Sequence, residues 1–127
     1  MSAQPNRAIA WFEIPSANFE RAVRFYEAAL DTQLRREDFG MPMAIFSYDE
    51  PSTGGAIVQS ATLKPSQSGT LIYLNARPTV NATLERVKRA GGKVEGPAVR
   101  LPEDIGWIGV FTDTEGNRIG LHSKTNE

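Results

Sequence analysis

The chain has 127 residues, 40% of them apolar and 23% charged, with 14 basic and 15 acidic side chains and a net charge of −1. That composition is globular, long enough for one domain with a real core and too short for two comfortable ones, and it excludes a disordered chain. The charges are dispersed, which removes the electrostatic ground for nucleic acid or an anionic membrane as partner, and the absence of cysteine removes disulfide frameworks, thiol nucleophiles and Cys-type zinc sites. No apolar run approaches the ~20 residues of a membrane span and no signal-peptide pattern opens the sequence, so a cytoplasmic protein is the expectation.

Ala8 to Pro15 reads as a strand, with Trp11, Glu13 and Pro15 on one face because side chains alternate. An amphipathic helix follows, capped by Asn18 or Ser16, with Glu20 in its first turn and an end near Leu30-Asp31. Strands are expected at Gln33–Phe39, Met43–Tyr48 and Gly54–Ser60, divided by turns at Gly40-Met-Pro and Pro51-Ser-Thr-Gly. The polar stretch Lys64-Pro-Ser-Gln-Ser-Gly69 is a joint, after which the order restarts. Thr70–Ala76 reads as a strand with Leu71, Tyr73 and Asn75 on one face, and a second helix runs from a cap at Thr79 or Asn81 to Gly91-Gly92. Strands at Lys93–Leu101, Trp107–Thr112 and Arg118–Ser123 complete the chain, the last two joined by the tight turn Asp113-Thr-Glu-Gly-Asn.

The apolar ridge of the first helix, Phe19, Val23, Tyr26 and Leu30, is matched by Val80, Leu84, Val87 and Gly91 at a constant offset of 61 positions. The chain is therefore expected to be α+β, one domain over 1–127 built of two βαβββ modules, about 8–62 and about 70–124, with a linker at about 63–69. A helix covers only one face of such a curved sheet, so the other face must find a partner. Setting the two sheets side by side, or exchanging one with a second chain, would enclose a cleft in a partly open mixed barrel with its helices outside.

The paired βαβββ order, Trp11-Phe-Glu-Ile-Pro followed by Phe19-Glu-Arg-Ala-Val-Arg-Phe-Tyr26, and the ending Asp113-Thr-Glu-Gly-Asn-Arg-Ile-Gly-Leu-His-Ser123 resemble the vicinal oxygen chelate superfamily of glyoxalase I, bleomycin-resistance proteins, fosfomycin-resistance enzymes and extradiol dioxygenases. The resemblance covers about Ala8 to Ser123 and implies the fold, a homodimer and a small-molecule cleft. It is specific for the fold and weak for the reaction, because one fold hosts several chemistries. Metal-using members hold a divalent ion with His, Gln or Glu from the first, fourth, fifth and eighth strands, leaving positions open for substrate oxygens. The matching positions here are Trp11, then Ile57 or Val58 and Gln59, then one near Leu71, and Gly120, of which only Gln59 has a suitable donor. The resemblance therefore implies that the usual metal centre is absent, and no cofactor is expected.

Glu13 lies two positions beyond Trp11, and His122, the only histidine, two beyond Gly120, so both keep the inward parity of the replaced ligands. If the family layout holds, they form a hydrogen-bonded Glu13···His122 pair suited to general acid–base work. Trp11, Tyr73 and Trp107 are expected to pack on the ligand while Glu13, His122, Asn75 and Gln59 orient it. Two functions stay open on this reading: a protein that binds or sequesters a small organic molecule, and a lyase or isomerase with His122 as base poised by Glu13, with or without a displaced divalent metal.

Overall fold

The computed structural model describes residues 8–49 and 52–126. In chain order these form β1 (Trp11–Pro15), α1 (Phe19–Leu30), β2 (Arg35–Asp38), β3 (Pro42–Ile45), β4 (Gly54–Val58), β5 (Tyr73–Asn75), α2 (Val80–Arg89), β6 (Lys93–Val94), β7 (Val99–Leu101), β8 (Gly106–Thr112) and β9 (Arg118–Ser123). Pro51, where the second turn of the first module was expected to begin, lies outside the described residues.

Local chemistry sets the helix ends. Of the two candidate caps for α1, the Asn18 side chain accepts the Arg21 N–H at 3.1 Å, while Ser16 donates its hydroxyl to the Val58 carbonyl at 2.8 Å. Asp31 takes the left-handed conformation (φ 52°) that closes the helix. In α2 the cap is Thr79, which accepts the Ala82 N–H at 3.1 Å, and Asn81 lies inside the first turn. Gly91, at φ +102°, ends α2 with its N–H on the Lys88 carbonyl.

The strands build two open mixed sheets, ordered β1-β4-β3-β2 and β5-β9-β8-β6, with β7 also pairing β8. In each sheet the first strand of the module runs parallel to its last, β1 beside β4 and β5 beside β9. The expected strand Lys93–Leu101 is two short strands, β6 and β7, both paired with β8. The break falls at Gly96-Pro97, where Gly96 has φ +80° and Pro97 has no N–H to give a ladder. Pro42 is tolerated because it opens β3.

One core joins the modules. It contains Val23, Phe25 and Tyr26 of α1, Val80, Leu84 and Val87 of α2, Ile14 and Ile57 of the first sheet, and Phe111, Ile119 and Leu121 of the second. Aromatic rings run through it: Phe46 to Tyr26 at 5.8 Å between centroids, Tyr26 to Phe25 at 4.9 Å, and Phe25 to Phe111 at 5.8 Å. The helices pack on each other as well as on their own sheets. Among the described residues no strand of one sheet pairs with the other. Within a single chain the helices therefore lie between the modules, and the sheets are not set side by side around a cleft of their own. The buried ridges of both helices explain this, since each covers the other.

The turn after β8 ties the modules together with polar groups. Asp113, 5% exposed, accepts the Tyr26 hydroxyl at 2.6 Å, the Asn117 amide at 3.0 Å and the backbone N–H groups of Glu115 and Asn117 at 2.8 and 2.9 Å. The Asn117 amide also donates to the Pro15 carbonyl at the end of β1, at 2.8 Å. Glu115 reaches the N-terminus of α1, accepting Ala17 N–H at 2.9 Å, Asn18 N–H at 2.7 Å and the Arg21 guanidinium at 2.7 Å. Burial would raise the Glu115 carboxyl, but hydrogen bonds from Arg21, the Asn18 backbone, Thr114 and the Ala17 backbone outweigh it and hold the group below its ordinary pKa. Burial, then the Asp113 charge and hydrogen bond, push the Tyr26 hydroxyl well above the usual tyrosine range. The removal of one oxygen tests how much this contact matters: Tyr26→Phe is expected to cost about 1–3 kcal/mol, measured as the urea midpoint, because it leaves the buried Asp113 short of a donor.

Candidate binding faces

Alternation along each strand sends one set of side chains to the helices and the other to the opposite face. On β1, Phe12 and Ile14 face the core, so Trp11 and Glu13 stand on the helix-free face, where register pairs Trp11 with Gly54 and Glu13 with Ala56. Tyr48 lies across Gly54, where a Cβ would collide with its ring, and meets Trp11 edge-on with centroids 6.3 Å apart. Trp11 is 39% exposed and Tyr48 40%. The Trp11 indole N–H points to the Glu13 carboxylate at 3.4 Å. Beside them Met43, Ile45, Ala56 and Val58 form a small second apolar cluster. Glycine at position 54 thus makes room for an aromatic pair.

The second sheet repeats the arrangement. Its helix-free face carries Tyr73 and Asn75 of β5, paired in register with Gly120 and His122 of β9, and Ile108 and Val110 of β8. Tyr73, 46% exposed, lays its ring over Gly120, again where a Cβ would collide with it. Asn75 and His122 are neighbours across the ladder. The His122 Nε2 is 2.6 Å from the Ile105 carbonyl oxygen.

Within the chain, the other expected site residues lie as follows. Glu13 and His122 are on different sheets of the chain, where Glu13 faces the Trp11 indole and His122 faces Ile105, so only two copies could bring them together. Gln59 lies beyond β4, and its side-chain oxygen accepts the Phe19 N–H at 2.8 Å at the N-terminus of α1. Trp107, expected to pack on the ligand, stands on the helix face with Phe111, because Ile108 is the residue in register with His122. Its indole packs against the core and lines a hollow of about 400 Å³ with Arg100, Asp104 and Lys124. A hollow of about 590 Å³ lies between α2 and the Gly96-Pro97 turn. Neither hollow includes Trp11, Glu13, Tyr73, Asn75 or His122.

Tyr48 and Ile105 are additions that the sequence reading did not place at the site. Tyr48 was expected to end the strand Met43–Tyr48, but β3 stops at Ile45 and the ring comes from the segment after it; no residue type flags a backbone carbonyl as a partner. Among the described residues, no group of three or more His, Asp or Glu side chains is placed to hold a metal ion. No described helix is long and apolar enough to cross a membrane.

Two sheets of this order, each with a parallel first and last strand and one helix, define the class, and the sequence agrees. Residues 8–121 match the model of the Glyoxalase/Bleomycin resistance protein/Dioxygenase superfamily, and the chain belongs to that superfamily. It is 29% identical over 120 residues to a glyoxylase-like domain-containing protein of Didymella fabae, covering 86% of this chain and 88% of that one. A glyoxalase/bleomycin resistance protein from Streptomyces sp. CB03234 superposes with a TM-score of 0.66 at 25% identity, over 91% of this chain and 100% of that one. The fold alone is shared with a genomically encoded fosfomycin resistance protein of Listeria monocytogenes, TM-score 0.65 at 14% identity over 91% and 89% of the two chains.

Proposed function

We propose that this protein binds a small organic molecule as a homodimer, in a cleft formed where the Trp11 face of one copy meets the Tyr73 face of the other, without the superfamily's divalent ion. The carrying observation is that each helix-free sheet face presents exposed aromatic rings laid over glycine, Tyr48 on Gly54 beside Trp11, and Tyr73 on Gly120. Exposed rings grouped on a sheet face are what a flat or hydrocarbon ligand packs against, and burying these faces in a second copy meets the need that the chain leaves open. Glu13, Asn75 and His122 are the polar groups that orient the ligand.

The residues at the superfamily's ligand positions do not suit a divalent ion. Trp11 offers an indole, Gly120 no donor under the Tyr73 ring, and the Gln59 oxygen is already held by the α1 N-terminus. Nickel, zinc, manganese or iron(II) should each leave the melting temperature unchanged in protein purified without chelator, whereas a rise with any of them would restore the metal centre. Trp11→Ala should weaken ligand binding by about 1–3 kcal/mol, read by calorimetry; unchanged affinity would place the indole outside the site.

A second reading, a lyase or isomerase with His122 as base, is favoured by one observation. One ring nitrogen is held by a backbone carbonyl, which leaves the other for substrate. Glu13 would then act from the facing copy. His122→Asn should in that case keep ligand affinity and lose turnover.

A further inference from the structure

A carbonyl oxygen only accepts hydrogen bonds, so the 2.6 Å contact between His122 Nε2 and the Ile105 oxygen requires the proton to sit on Nε2. The neutral ring then carries its lone pair on Nδ1. The turn that brings Ile105 to the ring is shaped for that approach. Glu103 and Asp104 both have positive φ, 59° and 60°, and the Lys124 ammonium holds the Asp104 carbonyl at 3.0 Å. Gly106 follows at φ +117°, where a Cβ would lie 2.5 Å from the Ser123 carbonyl oxygen and 3.0 Å from His122 Nε2. Only glycine lets this turn lie against β9.

The cations nearest the two helix-free faces are already engaged or distant, the Lys124 ammonium being on the Asp104 carbonyl at 3.0 Å. Arg35 is paired with Glu37 at 3.3 Å and Arg118 with Glu95 at 2.8 Å. Lys93 is on the outer strand β6, in register through Thr112 with Arg118 and so four residues along β9 from His122. Glu13, which only accepts hydrogen bonds when ionised, stands beside the exposed rings of Trp11 and Tyr48. Ring faces attract cations.

We infer that the Ile105 carbonyl locks His122 as the Nε2–H tautomer, and that with Nδ1 and Glu13 both acting as acceptors the site takes a flat, hydrogen-bond-donating cation of the amidinium or aminated-ring type. The ligand class rests on the assembled cleft proposed above; the tautomer does not.

Because His122 is the only histidine, nitrogen-15 NMR of histidine-labelled protein reads one ring. The expected result is a ring protonated at Nε2, with both tautomers appearing in Gly106→Ala and, to a smaller extent, in the milder Lys124→Met. A wild-type ring protonated at Nδ1, or one that stays Nε2-protonated in both variants, would overturn the role of Ile105. Benzamidinium and benzoate are flat probes of equal size and opposite charge. Benzamidinium should shift the His122 and Trp11 signals with at least tenfold higher affinity, and Glu13→Gln should erase the preference. Equal or tighter binding of benzoate, or binding of neither probe, would overturn the ligand class. A chain that stays monomeric would defeat the cleft while leaving the tautomer as measured.

Discussion

Asp113→Ala is expected to lower the stability of the folded chain by about 3–5 kcal/mol, the largest loss of any single substitution away from the apolar core, read as the shift in urea midpoint at constant slope. The carboxylate accepts four hydrogen bonds, and alanine leaves the Tyr26 hydroxyl and the Asn117 amide buried with donors to place. Tyr26 belongs to α1 and Asp113 to the turn after β8, so the loss falls on the contact between modules. Asp113→Ala and Tyr26→Phe share one hydrogen bond and should not add. The double variant is expected to be more stable than the sum of the two losses predicts, by about 0.5–3 kcal/mol. Strict additivity would mean that the hydroxyl contributes nothing to holding the modules.

Glu115→Ala should follow closely, at about 2–4 kcal/mol, because it strips acceptors from the first N–H groups of α1 and removes a negative charge from that helix's positive end. The Arg21 guanidinium contributes less to the loss, since its side chain is 46% exposed and regains water. A pH dependence accompanies the effect. The folded carboxyl is held below the unfolded value of about 4.3, so its stabilisation is complete above that pH and disappears as the pH falls through the folded pKa. Acid titration of wild type against Glu115→Gln should therefore show the curves converging at low pH. A constant difference down to the acid transition would mean that the Glu115 charge has no part in the fold.

The local half of this structure is legible in the sequence. Asn18, Thr79 and Gly91 mark helix ends because caps and left-handed closures are made by neighbouring residues, and the ridge of Val23, Tyr26, Leu84 and Val87 follows from helical periodicity. Register is a different matter. Whether Trp107 or Ile108 joins His122 depends on how β8 slides along β9, a pairing set by the whole sheet, and a slip of one residue exchanges the two faces. The Lys93–Leu101 run has strand-like composition throughout, and the bend at Gly96-Pro97 is decided by both short strands finding β8.

The site is less legible, for the same reason. Parity along each strand places Trp11, Glu13, Tyr73, Asn75 and His122 on helix-free faces, but nothing local says that these faces belong to two sheets held apart by helices. In the sequence the Asp113-Thr-Glu-Gly-Asn turn reads as a tight connection between two strands. Its acidic residues instead join the modules, since Asp113, Glu115 and Asn117 are buried against α1 and β1, contacts that span about ninety or more positions of sequence.

The binding cleft is expected to exist only between two copies. The chain has no cysteine, so Glu13→Cys with Asn75→Cys introduces the only two thiols, one on each helix-free face. Treatment with a short bifunctional maleimide, followed by mass analysis of the linked peptides, should give covalent dimers joined from position 13 of one copy to position 75 of the other. Monomers linked internally between positions 13 and 75, or a chain that sediments as a monomer and stays unlinked, would contradict it.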